Sequence, residues 1–297
     1  MATAYLIDPL FPTRRIHIIG GPSGSAKTTW LLQTLVLDWQ HGREVMGCKS
    51  NPVPWSYIAA DRTEDDLLET LERMHIPKDA FHYHCLFGSK ERDVCKIIRH
   101  VANLSYKPKL IVIEGFAALM PAKTNINSYQ DVRNFLEDIT ALVLELDITV
   151  IGVVHSPKTK EGEGYLNIRQ KVLGSVAWAA SCSTVVVAEE IYEQDTQGLT
   201  SSSTRRFYFL PRNGANIHVD YQFNAEGRLV EIVDDLPEAL AHAFLGLIKP
   251  GNTFTVAKFD EAVQAPRITC NRIRKRLLKD GFITKDGHGV YRVSRVS

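Results

Sequence analysis

A glycine-rich turn between an apolar run and a helical repeat constrains this chain more than any other stretch. The turn reads Gly20-Gly21-Pro22-Ser23-Gly24-Ser25-Ala26-Lys27-Thr28-Thr29. The run Ile16–Ile19 precedes it, and apolar residues at helical spacing follow it over Trp30–Leu37. A strand, a glycine-rich loop and a helix in this order are typical of a phosphate-binding loop. We therefore predict that Gly21–Thr29 binds ATP, with the Lys27 ammonium at the β- and γ-phosphates and the Thr28 hydroxyl on Mg²⁺.

Ala26 departs from the usual pattern of this loop, which has glycine directly before the lysine. A methyl group is tolerable there if the residue has helical backbone angles, and it is costly if φ is positive. The alternative interpretation is a flexible turn that happens to precede a helix. The Lys27-Thr28 pair, the preceding strand and the following helix together favour nucleotide binding.

Length and composition set the broad class. A chain of 297 residues is long enough for one large domain or for a large and a small one. No apolar run is long enough to span a bilayer, and Met1–Asp8 lacks the basic segment of a signal peptide. The five cysteines are scattered, which is typical of reduced thiols in a cytosolic protein. We therefore expect a cytoplasmic protein without a membrane partner.

Apolar runs and amphipathic repeats alternate along the first 234 residues. Leu110–Glu114 and Ile148–His155 are apolar runs that each deliver a polar side chain, as expected of parallel strands buried on both faces. Trp55–Ala60 is a further strand, and the amphipathic stretch behind Thr63 predicts a capped helix. This alternation predicts an α/β fold with a doubly wound, mostly parallel sheet whose ligands bind at the carboxyl ends of the strands.

The end of the chain differs in charge from the rest. Residues 257–297 contain ten basic and four acidic residues, an excess of six positive charges, so the remainder carries an excess of five negative charges. The strand pattern stops near residue 234, which predicts an ATPase domain over 1–234 and a second domain over 235–297. Three helices and a hairpin with Asp286-Gly287 at its tip predict a winged helix-turn-helix domain there.

Basic residues of this predicted domain indicate an anionic partner. Arg272, Arg274 and Lys275 lie on its recognition helix, where we expect contacts with the phosphates of duplex DNA. A protein-docking module is the alternative.

Polar side chains at the ends of the predicted strands complete a candidate site. We expect Glu114 to bind Mg²⁺ through water together with Thr28, or alternatively to polarise the attacking water itself. Asp61 is the first choice for orienting or deprotonating that water, with Glu64 as the second choice. Asp61 is alternatively a helix N-cap. His155 either senses the γ-phosphate or is an interior histidine.

Taken in order, these elements resemble the RecA-like ATPases, and most of all the hexameric replicative helicases of the plasmid RepA and DnaB kind. The resemblance covers about Ile16–Val233. It implies a RecA-like fold, ATP hydrolysis with Mg²⁺, and a hexameric ring with single-stranded DNA in its channel. It also implies that Asp61 is the catalytic base and that Arg212 reaches the ATP of the adjoining subunit. Leu210 occupies a position where the family often has lysine.

In the same families, loops after two of the strands hold single-stranded DNA. The corresponding basic residues here are Lys123, Lys158, Lys160, Arg169 and Lys171. The function that follows is an ATP-hydrolysing helicase or translocase of plasmid or phage replication. The alternative is an ATP-switched DNA-binding regulator, or a replication or recombination accessory factor that does not unwind DNA.

Overall fold

The computed structural model describes residues 3–156, 168, 176–195, 198–214, 216–232, 235–265 and 267–294. The chain divides into two compact units. The first consists of Met1–Val45 and Lys49–Glu231, and the second of Met46–Cys48 and Ile232–Ser297. No helix in the described part of the chain is both long and apolar enough to cross a membrane.

The first unit is built around one large sheet. The strands of this unit are β1 (Tyr5–Asp8), β2 (Phe11–Pro12), β3 (Ile16–Gly21), β4 (Lys49–Ser50), β5 (Trp55–Ala59), β6 (His82–Cys85), β7 (Leu110–Glu114), β8 (Thr149–His155), β9 (Thr184–Asp195), β10 (Gly198–Pro211), β11 (Ile217–Phe223) and β12 (Leu229–Glu231). Strands β1, β2 and β4 form a small separate sheet in the order β2-β1-β4. Within the described residues, the large sheet has the order β12-β11-β10-β9-β3-β8-β7-β5-β6. The part β9-β3-β8-β7-β5-β6 is parallel. Strands β10, β11 and β12 continue the sheet from β9 as an antiparallel meander. The predicted fold class is therefore confirmed.

Helices cover this sheet. They are α1 (Lys27–Leu32), α2 (Glu64–Arg73), α3 (Val94–Ala102), α4 (Tyr129–Leu146) and α5 (Val176–Ser181). The apolar stretch predicted as one helix after the glycine-rich loop continues beyond α1 as a π-helical segment, Gln33–Asp38, and a 3₁₀ turn, Trp39–His41. Helix α2 has the capping box expected behind Thr63, because Thr63 and Asp66 each accept a hydrogen bond from the backbone amide of the other. Strand β7 is buried at all five positions, since it lies between β5 and β8 with helices on both faces.

A buried histidine in this sheet makes stability depend on pH. The imidazole of His17 is inaccessible to solvent, its Nε2 lies 2.9 Å from the Pro12 carbonyl oxygen, and its Nδ1 has no hydrogen-bond partner. Burial lowers the pKa of His17 to about 4, and Arg15 adds to the effect while the Pro12 contact opposes it. Because the pKa falls on folding, the unfolded chain takes up the proton first as the pH drops.

We therefore expect the stability that the neutral His17 contributes to the folded protein to be fully present above about pH 6.5 and to be lost as the pH falls towards 4. The loss should reach about 3 kcal/mol of unfolding free energy at pH 4. Urea unfolding at several pH values should show this slope in the wild type and a weaker slope in His17→Gln. The exposed His41, changed to glutamine in the same way, serves as control. Equal slopes in wild type and His17→Gln would contradict the assignment.

The second unit has its own core. Its elements are α6 (Asp235–Gly246), β13 (Thr253–Thr255), α7 (Val256–Val263), α8 (Arg267–Lys279), β14 (Ile283–Gly287) and β15 (Val290–Val293). The strands pair in the order β13-β15-β14. The predicted turn at Asp286-Gly287 is wrong, because both residues belong to β14. Gly289, with φ of 70°, lies in the turn instead. The winged-helix assignment and the exact domain division stay predictions.

Candidate functional site

The phosphate-binding loop joins the buried strand β3 to helix α1. Glycine is required at position 21, since a Cβ atom there would lie 2.3 Å from the Ala188 carbonyl oxygen of β9. Gly24 has φ of 86°, a conformation that glycine adopts without strain. The Ser25 hydroxyl donates a hydrogen bond to the Pro22 carbonyl oxygen at 2.8 Å. These contacts hold the loop in a compact turn.

The Lys27 ammonium group lies inside this turn. Its Nζ donates to the carbonyl oxygens of Gly21 and Pro22, each at 2.8 Å, and to the Ser25 hydroxyl at 3.3 Å. Lys27 is only 3% exposed. Burial lowers its pKa to about 8, although Glu114 and Asp61 raise it in part. A buried ammonium with only neutral oxygens as direct partners fits an anionic ligand, which would stabilise its charged form.

Ala26 has a positive φ, the costlier of the two backbone conformations considered for it from the sequence. It is the N-cap residue of α1, with φ of 63° and ψ of 23°, and its side chain makes no cap. An L-residue in the left-handed region is strained by about 1–2 kcal/mol.

We expect Ala26→Gly to stabilise the protein. The gain should be about 1 kcal/mol in unfolding free energy, since glycine relieves the strain but also loses more entropy on folding. Thermal and urea unfolding would measure it. The matched control is Ala141→Gly on the exposed face of α4, where the same change should cost about 1 kcal/mol. A loss of stability in both variants would contradict the strain argument.

Glu114 is the centre of a buried hydrogen-bond network at the end of β7. Its side chain is inaccessible to solvent. The Thr28 hydroxyl donates to its Oε1 and the Tyr57 hydroxyl to its Oε2. Nη2 of Arg62 lies 2.6 Å from the same Oε1. Burial, together with the contact with Glu114, raises the pKa of Tyr57 well above its ordinary value, so Tyr57 stays a donor.

Asp61 lies beside this network, at the carboxyl end of the neighbouring strand β5. Its Oδ2 lies 3.7 Å from Nε2 of His155, at the end of β8. Burial alone would raise the pKa of Asp61, but the contact with His155 and the Arg62 guanidinium outweigh it and hold the pKa below its usual range. Gly115 makes room for this carboxylate, since a Cβ atom at position 115 would lie 2.6 Å from the side chain of Asp61.

The residues at this edge of the sheet also fit a magnesium ion. Thr28 and Glu114 supply a hydroxyl and a carboxylate oxygen in direct contact, and hard oxygen ligands are those that Mg²⁺ prefers. Among the described residues, no group of three or more histidine, cysteine, aspartate or glutamate side chains is arranged to hold a metal. A metal here therefore depends on the phosphate oxygens of a nucleotide for its remaining ligands.

Arg212 is placed far from the phosphate-binding loop of its own chain. It follows β10, whose last residue Pro211 pairs with Thr184, and Thr184 pairs with His17 near the start of β3. The loop begins at the other end of β3, about 13 Å away along the strand. Arg212 is exposed, and its guanidinium donates to the Ala180 carbonyl oxygen.

Other residues of β10 are held within the sheet. Leu210, where the resembling family often has lysine, is a core residue, 2% exposed. Arg205 and Arg206 lie on an inner strand, because β10 runs between β9 and β11. Nε of Arg205 donates to the Gly24 carbonyl oxygen of the phosphate-binding loop at 3.2 Å, and Arg206 makes two hydrogen bonds to Asp220 at 2.7 and 2.8 Å.

The candidate DNA-binding residues of the first unit divide into two groups. Lys123 is exposed in the loop between β7 and α4. The other predicted contacts lie outside the described residues; they are Lys158, Lys160, Arg169 and Lys171.

In the second unit, the prediction that Arg274 contacts DNA is wrong. It is 2% exposed, because its guanidinium pairs with Asp260, donates to Asn271 at 2.9 Å and lies over the ring of Phe259. It therefore belongs to the core of the unit and is not available to DNA. Lys275 is exposed and Arg272 is half-buried on the same helix.

Sequence reasoning missed Tyr57 and Arg62. A signal existed for Tyr57, since a tyrosine hydroxyl in a buried strand needs a hydrogen-bond partner. It lies two residues before Ala59, which pairs with Glu114 across the parallel strands. Arg62 follows Asp61 directly, but nothing in the local sequence indicates that it turns towards the neighbouring strand.

Comparison with known proteins gives a family and a shared fold. A sequence family described as AAA domain matches residues 2–161, just over half of the chain. A solved structure of a KaiC-like protein from Pyrococcus horikoshii matches with a TM-score of 0.54 and 13% identity, over 78% of this chain and 99% of that one. At this identity the match shows a shared RecA-like fold. No curated protein matches the sequence.

Proposed function

This chain belongs to the AAA domain family, and on that premise we propose that it is an ATPase that forms a ring and moves along single-stranded DNA. This is the activity of a small replicative helicase of plasmid or phage type. One observation carries the proposal. Lys27, Thr28, Asp61 and Glu114 lie at the nucleotide-binding edge of the sheet, whereas Arg212 is exposed at the opposite edge, away from the loop of its own chain and accessible to another copy.

In this proposal Gly21–Thr29 binds the phosphates of ATP. The Lys27 ammonium exchanges its three neutral partners in the loop for phosphate oxygens, which are stronger acceptors. Thr28 and Glu114 would hold Mg²⁺. When bound, Mg²⁺ supplies charge neutralisation at the β- and γ-phosphates.

Hydrolysis then depends on two side chains beside Glu114. Asp61, whose pKa is held low, accepts a hydrogen bond or the proton from the attacking water. His155, 3.7 Å away, keeps that carboxylate in position, and because it pairs with Gly21 across the parallel strands it would respond to the γ-phosphate. Arg212 of an adjoining subunit would stabilise the charge that develops on the transferred phosphoryl group.

The proposed contacts with DNA involve basic residues in both units. Lys123 lies exposed in the loop after β7, and the sequence that follows β8, outside the described residues, contains four further basic residues. For the second unit we propose contact with the phosphates of duplex DNA through Arg272 and Lys275, with Arg274 excluded by its burial. The net excess of six positive charges over residues 257–297 supports an anionic partner.

The test combines hydrolysis, mass and unwinding. We expect the wild type to hydrolyse ATP faster when single-stranded DNA is added, and Lys27→Ala to be inactive under both conditions. Mass measurement with ATP and an oligonucleotide should give a closed ring, with six copies as the expected number. Lack of hydrolysis, or hydrolysis by a strictly monomeric protein, would overturn the proposal.

The second candidate function is an ATP-switched DNA-binding regulator, and the basic second unit favours it. An unwinding assay on a forked DNA duplex distinguishes the two functions. A helicase separates the strands of the fork. The regulator would hydrolyse ATP and bind duplex DNA without separating them.

A further inference from the structure

A cation of the protein itself lies on the carboxylate oxygen that faces the candidate metal site. Nη2 of Arg62 is 2.6 Å from Oε1 of Glu114, and this oxygen also accepts the hydrogen bond from Thr28. The Glu114 side chain is fully buried, whereas that of Arg62 is 23% exposed. The second amino group of Arg62, Nη1, is 3.4 Å from the Thr70 hydroxyl.

The partners of Glu114 differ in how firmly they are held. Tyr57 is fixed within the buried strand β5, and Thr28 lies in the first turn of α1. Arg62, in contrast, follows β5 in the short connection to α2, it is partly open to solvent, and its remaining contact with Thr70 is long. An arginine on a flexible stem can leave this position at lower cost than the other two donors.

We propose that Arg62 is a built-in counter-cation that neutralises Glu114 in the metal-free protein and must withdraw from Oε1 when a divalent cation binds. The reason is electrostatic, since a divalent cation and a guanidinium beside one buried carboxylate repel each other strongly at low dielectric constant. The consequence is that a free divalent cation binds poorly and enters together with a nucleotide. This inference rests on the proposed function, because it takes Thr28 and Glu114 as the metal-binding residues.

The test is the affinity for Mn²⁺, measured by electron paramagnetic resonance on protein saturated with ADP. We expect Arg62→Gln to bind Mn²⁺ about tenfold more tightly than the wild type, because the competing charge is gone. Mn²⁺ without nucleotide should raise the melting temperature of Arg62→Gln and leave that of the wild type unchanged. The matched control is Arg73→Gln, since Arg73 also donates to Thr70 but does not contact Glu114.

Unchanged or weaker Mn²⁺ binding in Arg62→Gln would overturn the inference. Arg62→Met, which keeps much of the side-chain volume without the charge, makes the same test if the glutamine variant does not fold. Binding of ADP in the presence of a chelator is measured separately and should be equal in wild type and Arg62→Gln. If Lys27→Ala also binds ADP normally, the proposed function fails, and that result is independent of how Mn²⁺ affinity responds to Arg62.

Discussion

Replacing Arg212 with alanine should lower DNA-stimulated ATP hydrolysis by about 10³-fold or more while leaving ATP binding nearly unchanged. The physical reason is the position of the side chain. Arg212 is exposed at the edge of the sheet that lies away from the phosphate-binding loop of its own chain, so it contributes nothing to binding in that chain. Steady-state turnover with saturating single-stranded DNA measures the first quantity, and titration with a fluorescent ATP analogue measures the second.

Two controls make this prediction specific. Arg206→Ala removes another arginine, one that lies within β10 towards the other edge of the sheet and is paired with Asp220, and we expect turnover to change by no more than a few fold. Mixing Arg212→Ala with Lys27→Ala should restore part of the activity, because the second variant offers an intact Arg212 to the intact loop of the first. Equal loss of binding and turnover in Arg212→Ala would contradict a role in the adjoining subunit.

The position of the site could be predicted from the sequence because it follows from local rules. Residues that end adjacent parallel strands meet at one edge of the sheet, and this brings Asp61, Glu114 and His155 together next to the phosphate-binding loop. Each apolar run was visible by itself, and β7 has the predicted bounds, Leu110–Glu114.

What the sequence could not give are side-chain directions across neighbouring elements. Arg62 could have faced solvent or α2, and only the packed structure directs it to Glu114. The burial of Arg274 had a signal that was overlooked, since it lies on the same helical face as Cys270 and Leu277, four residues after one and three before the other. The hairpin turn was misplaced because Gly287 and Gly289 both suit a turn, and the register of β14 and β15 selects the second.

The second large effect is expected at Asp61. Asp61→Asn should lower turnover by about 10²- to 10⁴-fold and retain ATP binding, since asparagine has a similar shape but cannot accept a proton. The low pKa of Asp61 means that the carboxylate is ionised at neutral pH and ready to polarise water. Single-turnover hydrolysis in a rapid-quench instrument would measure the chemical step directly, without contributions from product release.

Glu64→Gln is the matched comparison, because Glu64 is the other carboxylate that the sequence placed near the attacking water. The structure gives it a different partner, since Oε1 of Glu64 accepts a hydrogen bond from the Tyr83 hydroxyl at 3.0 Å in an exposed setting. We therefore expect Glu64→Gln to retain turnover within about twofold, as surface changes away from the reacting groups usually do. A greater loss in Glu64→Gln than in Asp61→Asn would transfer the role of base to Glu64 and leave Asp61 as a residue that only positions His155.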